Sequence, residues 1–216
     1  MATLLLRLSA PMQSWGTQSN FEHRDTGREP SKSGVIGLLC AALGRPREES
    51  VDDLASLRMG VRIDQPGQIT LDYHTAGMGG IYKVDGGIKH DLMISRRFYL
   101  ADARFLVGLE GTNVTFLHQI HQALQQPRWF LFLGRKSCMP AETVWLDQGV
   151  QEENLETSLR TYPSLTTSPV DKCQFVIEDP SGQVVRNDQP ISFSDRLFLP
   201  RRVRVEYLSI GGLEET

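Results

Sequence analysis

Asn113-Val114-Thr115-Phe116-Leu117-His118-Gln119-Ile120-His121-Gln122-Ala123-Leu124-Gln125 sets Val114, Leu117, Ile120, Ala123 and Leu124 on one stripe at helical spacing. The strand-like residues 97–109, with Phe98, Leu100, Phe105, Val107 and Leu109, precede this helix, and the wholly apolar residues 129–133 follow it as a short strand. Residues 3–9 read as a first strand stopped by Ala10-Pro11. A long polar loop then leads to a helix capped by Ser31 or Ser33, with Ile36, Leu39, Cys40 and Leu43 at helical spacing and an end at Gly44-Arg45-Pro46. A short helix over 50–57, capped by Ser50, and strands over 58–63 and 68–74 around Gln65-Pro66-Gly67 complete the first half. With the small extra elements set aside, the order is β-α-β-β-α-β, the split βαβ or ferredoxin-like arrangement of an α+β fold.

Residues 78–95 break this pattern, because Gly79, Gly80, Gly86 and Gly87 lie among polar residues with little core periodicity. They read as a projecting hairpin or loop. After residue 140 come a helix over 152–160, strands at 172–178, 184–185 and 202–210, and a turn at Asp179-Pro180-Ser181-Gly182. The predicted organisation is therefore a palm over 1–140, with 76–97 projecting from it, and a smaller β-rich lobe over 141–216 packed on the palm. The acid-ended residues 211–216 are expected to be disordered.

The chain has 216 residues, 40% hydrophobic and 23% charged, which suits one large domain or a domain with an appendage. No apolar stretch approaches the roughly 20 residues of a membrane span. The first residues lack a basic n-region and carry Arg7 in their apolar run, so no signal peptide is expected. Three widely spaced cysteines form no C-x-x-C pair and read as reduced thiols of a cytoplasmic protein. The net charge of −3 hides segregation: no acid falls between Glu110 and Glu142, where Arg128, Arg135 and Lys136 lie, and Arg196, Arg201, Arg202 and Arg204 cluster near the end. Such a chain can steer a polyanion despite its sign.

Two short basic segments carry the chemistry. In the first, Trp15 reads equally as a half-buried ring or as one that stacks on a base. Arg24, Arg28 and Lys32 lie in the same loop to meet phosphates, and Ser31, Lys32 and Ser33 open a helix whose free N–H groups favour an anion. The second, Gly134-Arg135-Lys136-Ser137, leaves an edge strand of the same sheet and can lie near the first. Gly77-Met78-Gly79-Gly80 fits neither a dinucleotide fingerprint nor a P-loop. His118 and His121 lack a third ligand, so they read as polar surface residues, and neither metal nor cofactor is expected. His74, His90, His118, Tyr73, Tyr82, Lys83 and Lys89 supply residue types for RNA cleavage without any implied geometry.

Several of these runs also carry a family resemblance. Leu8-Ser9-Ala10-Pro11-Met12-Gln13-Ser14-Trp15-Gly16, Thr26-Gly27-Arg28, Pro30-Ser31-Lys32-Ser33-Gly34-Val35-Ile36-Gly37-Leu38-Leu39, Asp72-Tyr73-His74-Thr75 and Leu133-Gly134-Arg135-Lys136-Ser137-Cys138 resemble the CasD subunits of type I-E CRISPR Cascade. Their order and spacing match over nearly the whole length. The resemblance implies a RAMP protein with an RNA-recognition-motif-like palm and a projecting thumb. It implies one non-catalytic copy that caps the foot of the complex and grips the crRNA 5′ handle in antiviral defence. Its partners would be crRNA, the repeated backbone subunit, the large PAM-reading subunit and, indirectly, target DNA. By the same resemblance Trp15, Arg28, Ser31, Lys32, Ser33, Gly134, Arg135, Lys136 and Ser137 face the handle. The thumb, with Met78, Tyr82, Lys83, Lys89 and Ile94, meets the adjacent backbone subunit. The alternative is a metal-independent endoribonuclease that processes repeat RNA, as in type I-C relatives.

Overall fold

Leu4, Leu5, Leu6 and Leu8 of the first strand are all buried, although successive side chains of a strand point to opposite faces. Both faces of this strand must therefore be covered, and they are. The computed structural model describes residues 1–19, 22–90, 92–167 and 172–210; the tail expectation at 211–216 lies outside them. In chain order the elements are β1 (Ala2–Ser9), β2 (Met12–Gln13), β3 (His23–Arg24), α1 (Lys32–Leu43), α2 (Asp52–Ala55), β4 (Arg58–Gln65) and β5 (Gln68–Ala76). Next come β6 (Ile81–Tyr82), β7 (Ile88–Lys89), β8 (Met93–Ala101), β9 (Arg104–Gly111) and α3 (Val114–Gln125). The last are β10 (Trp145–Gln151), α4 (Leu155–Thr161), β11 (Lys172–Glu178), β12 (Val184–Ser192) and β13 (Leu197–Ser209).

Seven strands form one antiparallel sheet in the order β10-β1-β9-β4-β11-β13-β12. On one face Leu4, Leu6, Leu8, Val61, Val107 and Leu109 pack with Ile36 and Leu39 of α1 and with Leu117 and Ile120 of α3. On the other, Leu5, Leu106, Phe175 and Ile177 pack with Leu155 and Leu159 of α4. Arg62 is also fully buried on that side. Its guanidinium pairs with Asp64 and donates to the carbonyls of Leu159, Tyr162 and Pro163 at the end of α4, which satisfies the charge. Strands β10 to β13, expected in a separate smaller lobe, extend this same sheet: β10 lies on β1 and β11 on β4.

A second sheet is built on β8, with β5 along one edge and β2 and β3 along the other. The long β5–β8 hairpin carries the projecting segment, in which β6 and β7 add a two-residue ladder. Two expected strands are redrawn. Residues 97–109 are two strands, because Asp102 adopts φ 56 and turns the chain between β8 and β9. Residues 129–133 form no strand: the N–H groups of Arg128 and Trp129 donate to the last carbonyls of α1, on Ala42 and Ala41, and are unavailable to a ladder. Phe130 is left 79% exposed there, and the strand that follows α3 is β10.

Helix ends follow local chemistry. Ser31 caps α1 through Gly34 N, Gly44 ends it at φ 76, and Asn113 caps α3 through Phe116 N. Helix α4 begins later than expected because Asn154, not a residue near 152, is its cap. Helix α2 is the shorter Asp52–Ala55, with the Ser50 hydroxyl accepting from Asp52 N. All three cysteines are unbridged and buried, and burial pushes the Cys40 thiol up to about 11. Among the described residues no helix is long and apolar enough to cross a membrane.

Candidate nucleic-acid interface

The two basic segments do meet, at a glycine. Gly134 has φ 93, and a Cβ there would fall inside the carbonyl of Ser14. Ser14 N donates to Leu133 O at 3.1 Å, while Leu133 N donates to Cys138 O at 2.7 Å and closes the loop that holds Arg135 and Lys136. This close approach of two backbones is what the glycine supplies. Gly134→Ala combines left-handed backbone strain with overlap and is expected to cost about 3 kcal/mol of stability, read as a lowered urea midpoint at unchanged slope.

Several residues expected to touch RNA are instead scaffold. Trp15 is 1% exposed, with its indole N–H donating to Gln13 Oε1 at 3.0 Å. Its ring lies on the first turn of α1, where a Cβ on Gly34 would sit 2.9 Å from Cε3. A ring so enclosed has no face for a base, contrary to the stacking expectation. Lys32 is likewise 1% exposed; its ammonium donates to both Glu178 oxygens, at 3.1 and 2.9 Å. Burial pushes that ammonium below the usual lysine range, against the opposing pull of Glu178. The opening of α1 is not free for phosphate either. Asp188 Oδ2 accepts from Lys32 N at 2.7 Å, and the buried Ser31 accepts from Gly34 N, with the Ser33 hydroxyl 3.5 Å from Ser31 Oγ. Asp188 also pairs with Arg201, which brings one arginine of the carboxyl-terminal cluster into the fold.

What remains open is a basic strip on the β8 sheet. Register places Arg24 of β3 beside Arg97 of β8, and Asp72 of β5 opposite Arg97 on the other side. Tyr99 follows Arg97 on the same face, and the Arg135 guanidinium lies 4.8 Å from the centre of its ring. His74, also on that face, has Nδ1 3.6 Å from Asp72. Tyr73 points to the opposite face, so Asp72, Tyr73 and His74 do not converge as a cluster. Arg24, Arg28, Lys136 and Ser137 are exposed. Among the described residues, no hydrogen bond or ion pair engages the charged ends of Arg24, Arg28 or Lys136. Arg97 was not singled out by sequence reasoning; the signal was a paired Arg96-Arg97 at the root of the hairpin, where alternation sends one arginine to each face.

Arg135 is half committed. Its Nη1 donates to Phe98 O at 3.2 Å and its Nη2 to Asp25 O at 3.0 Å. Asp25 accepts in turn from Thr17 N, Gln18 N and the Ser19 hydroxyl. Partial burial raises the Asp25 carboxyl, but these hydrogen bonds outweigh it and hold the group below the usual carboxylate range. At the hairpin tip Met78 is 97% and Tyr82 82% exposed, and Lys83, Lys89 and Ile94 are also exposed. His121 is turned inward, 2.8 Å from Leu146 O and edge-on to Trp145. Among the described residues no three of His, Cys, Asp and Glu gather as a metal site. A cavity of about 640 Å³ lined by Arg7, Trp145 and Tyr162 opens beside α4 and β10 and shares no lining residue with the strip.

A family model described as CRISPR-associated protein (Cas_Cas5) matches residues 3–205. The chain is 32% identical to the CRISPR system Cascade subunit CasD of Escherichia coli (strain K12), over 98% of this chain and 97% of that protein. Among solved structures, one described as a crystal structure of a Cas protein superposes with TM-score 0.80 and 44% identity, over 96% of this chain and 95% of that chain. A chain of a CRISPR RNA-guided surveillance complex gives TM-score 0.77 and 30% identity, over 96% of this chain and 90% of that one.

Proposed function

The chain belongs to the Cas5 family of CRISPR-associated proteins, and on that premise we propose that it is a non-catalytic crRNA-binding subunit of a type I-E Cascade complex, capping the foot and holding the 5′ handle. The observation that carries this reading is the basic strip. Arg24 and Arg97 lie side by side on one face of β8, next to Arg135 stacked on Tyr99, with unpaired Arg28 and Lys136 at its margin. Arg97 donates to Ser95 Oγ and Arg135 to two carbonyls. The charged ends of Arg24, Arg28 and Lys136 have no partner among the described residues, which suits a polyanion because each phosphate contact releases counterions and needs no desolvation of an existing pair. Single-stranded RNA fits such a strip, since its backbone can follow the strand while its bases splay outward. The similarity to a Cascade subunit and to a chain of an RNA-guided surveillance complex supports the same ligand.

In this reading β1, β4, β9 and β10, with α1 and α3, form the ferredoxin-like palm; the order β10-β1-β9-β4 supports it. The projecting residues 76–97 serve as the thumb, and Met78, Tyr82, Lys83, Lys89 and Ile94 meet the repeated backbone subunit. The large PAM-reading subunit is a further neighbour, target DNA is met only through the assembly, and the protein works in the cytoplasm.

The test is incubation of 5′-labelled repeat RNA with the chain in EDTA, read on a denaturing gel beside a retention assay. Intact RNA that is retained, alone or with the backbone subunit added, supports the holding role. Cleavage at one defined position would make the protein a processing endoribonuclease instead.

A further inference from the structure

Asp25 stands between the two exposed arginines of the first basic segment, where a carboxylate is electrostatically unwelcome to a phosphate chain. Its carboxylate is occupied by two backbone N–H groups and one side-chain hydroxyl. Oδ2 accepts from Thr17 N at 3.2 Å and Gln18 N at 3.1 Å, and Oδ1 accepts from Ser19 Oγ at 2.5 Å. Its carbonyl takes the Arg135 guanidinium, whose other arm grips Phe98 O in β8. That carbonyl also lies so near Gly16 that a Cβ there would come within 2.5 Å of it. The next two residues are fastened as well: Trp15 N donates to the Thr26 hydroxyl at 3.0 Å, and Gly27 N to Trp15 O at 3.1 Å. Residues 25, 26 and 27 are thus bolted down, and the arginines at 24 and 28 project from either end of the bolted stretch.

We propose that Asp25 and Arg135 form a clasp that fixes where Arg24 and Arg28 stand, which makes Asp25 a positioning residue for RNA although its charge opposes RNA. The proposal rests on the RNA-binding reading above. It assigns Arg135 a different task from the phosphate contact expected of it: the guanidinium joins the second basic segment and β8 to the first. Lysine cannot replace it, because one ammonium cannot span two carbonyls and lie flat on Tyr99.

The sign of one substitution separates the clasp from simple electrostatics. Removing a carboxylate beside a phosphate track strengthens binding if charge alone matters. If the carboxylate acts by holding the loop, removing it weakens binding. Retention of 5′-handle RNA would be measured for the full chain and for Asp25→Ala, Asp25→Asn, Arg135→Ala, Arg135→Lys and Asp25→Ala/Arg135→Ala, with trypsin nicking after Arg24 and Arg28 followed on the same samples. Asp25→Ala is expected to bind about tenfold more weakly, since charge-assisted hydrogen bonds are lost, and to be nicked faster. The double variant is expected to bind no worse than the weaker single one, the mark of residues acting as one unit. Arg135→Lys is expected to fail to rescue. Asp25→Asn, which keeps shape and one acceptor, gives a smaller effect of the same sign and serves if the alanine variant unfolds. Equal or tighter binding with unchanged nicking overturns the clasp while the RNA reading stands. Failure of the unaltered chain to retain RNA, alone or with the backbone subunit, overturns the RNA reading, and the nicking rates then decide the clasp by themselves.

Discussion

Replacing Arg24, Arg28 and Lys136 together by alanine is expected to weaken binding of 5′-handle RNA by about a hundredfold near 0.1 M salt, and to flatten the salt dependence by about two log units per log unit. The melting temperature should not move. All three side chains are exposed and, among the described residues, unpaired, so their removal leaves no buried group there unsatisfied. The salt slope is the decisive readout, because it counts phosphate contacts and a general loss of fold does not reproduce it. Arg160→Ala, on α4 across the main sheet, should leave both affinity and slope unchanged. An unchanged slope in the triple variant would mean that the handle, if bound, lies elsewhere.

Lys32→Ala is expected to act in the opposite way, costing about 3 kcal/mol of folding stability with little direct effect on RNA contacts. The ammonium is enclosed by Glu178, while Asp188 holds the backbone of the same residue and pairs with Arg201. Alanine strands the Glu178 carboxylate with only Met59 N and the more distant Arg201 guanidinium, at 3.9 Å, to compensate. The cost falls near the lower end for a broken buried pair for that reason. Urea denaturation measures it. A variant that unfolds like the unaltered protein but loses RNA would restore Lys32 to the binding surface.

The fold was legible where a residue's chemistry is local. Ser31 and Asn113 cap their helices, Gly44 ends α1, and the stripes of α1 and α3 face a sheet as their spacing implies. It was illegible where tertiary bonding overrides composition. Residues 129–133 are apolar enough for a strand, yet the N–H groups of Arg128 and Trp129 close the end of α1. The site divides the same way. The convergence of the two basic segments was expected from an edge strand over 129–133; they meet instead through Ser14 and Leu133 without that strand, and which cations stay free was not legible. Lys32 and Arg24 look alike in a sequence, and only the acids that arrive from β11 and β12, more than a hundred residues on, set them apart. Trp15 is a parallel case, since Gly34 alone gives no hint that a ring will lie against it. Arg97 was hidden for a different reason: its partners on the face come from β3 and β5, and no window of sequence contains all three.

In the proposed function the 5′ handle runs along the β8 strip. Photocrosslinking tests this, with photoreactive nucleotides placed through the 5′ handle of crRNA in the assembled complex and the attached peptides read by mass spectrometry. Crosslinks to residues 22–28, 93–101 and 134–139 are predicted. Crosslinks confined to the α4 and β10 side, around residues 145–162, would contradict the account.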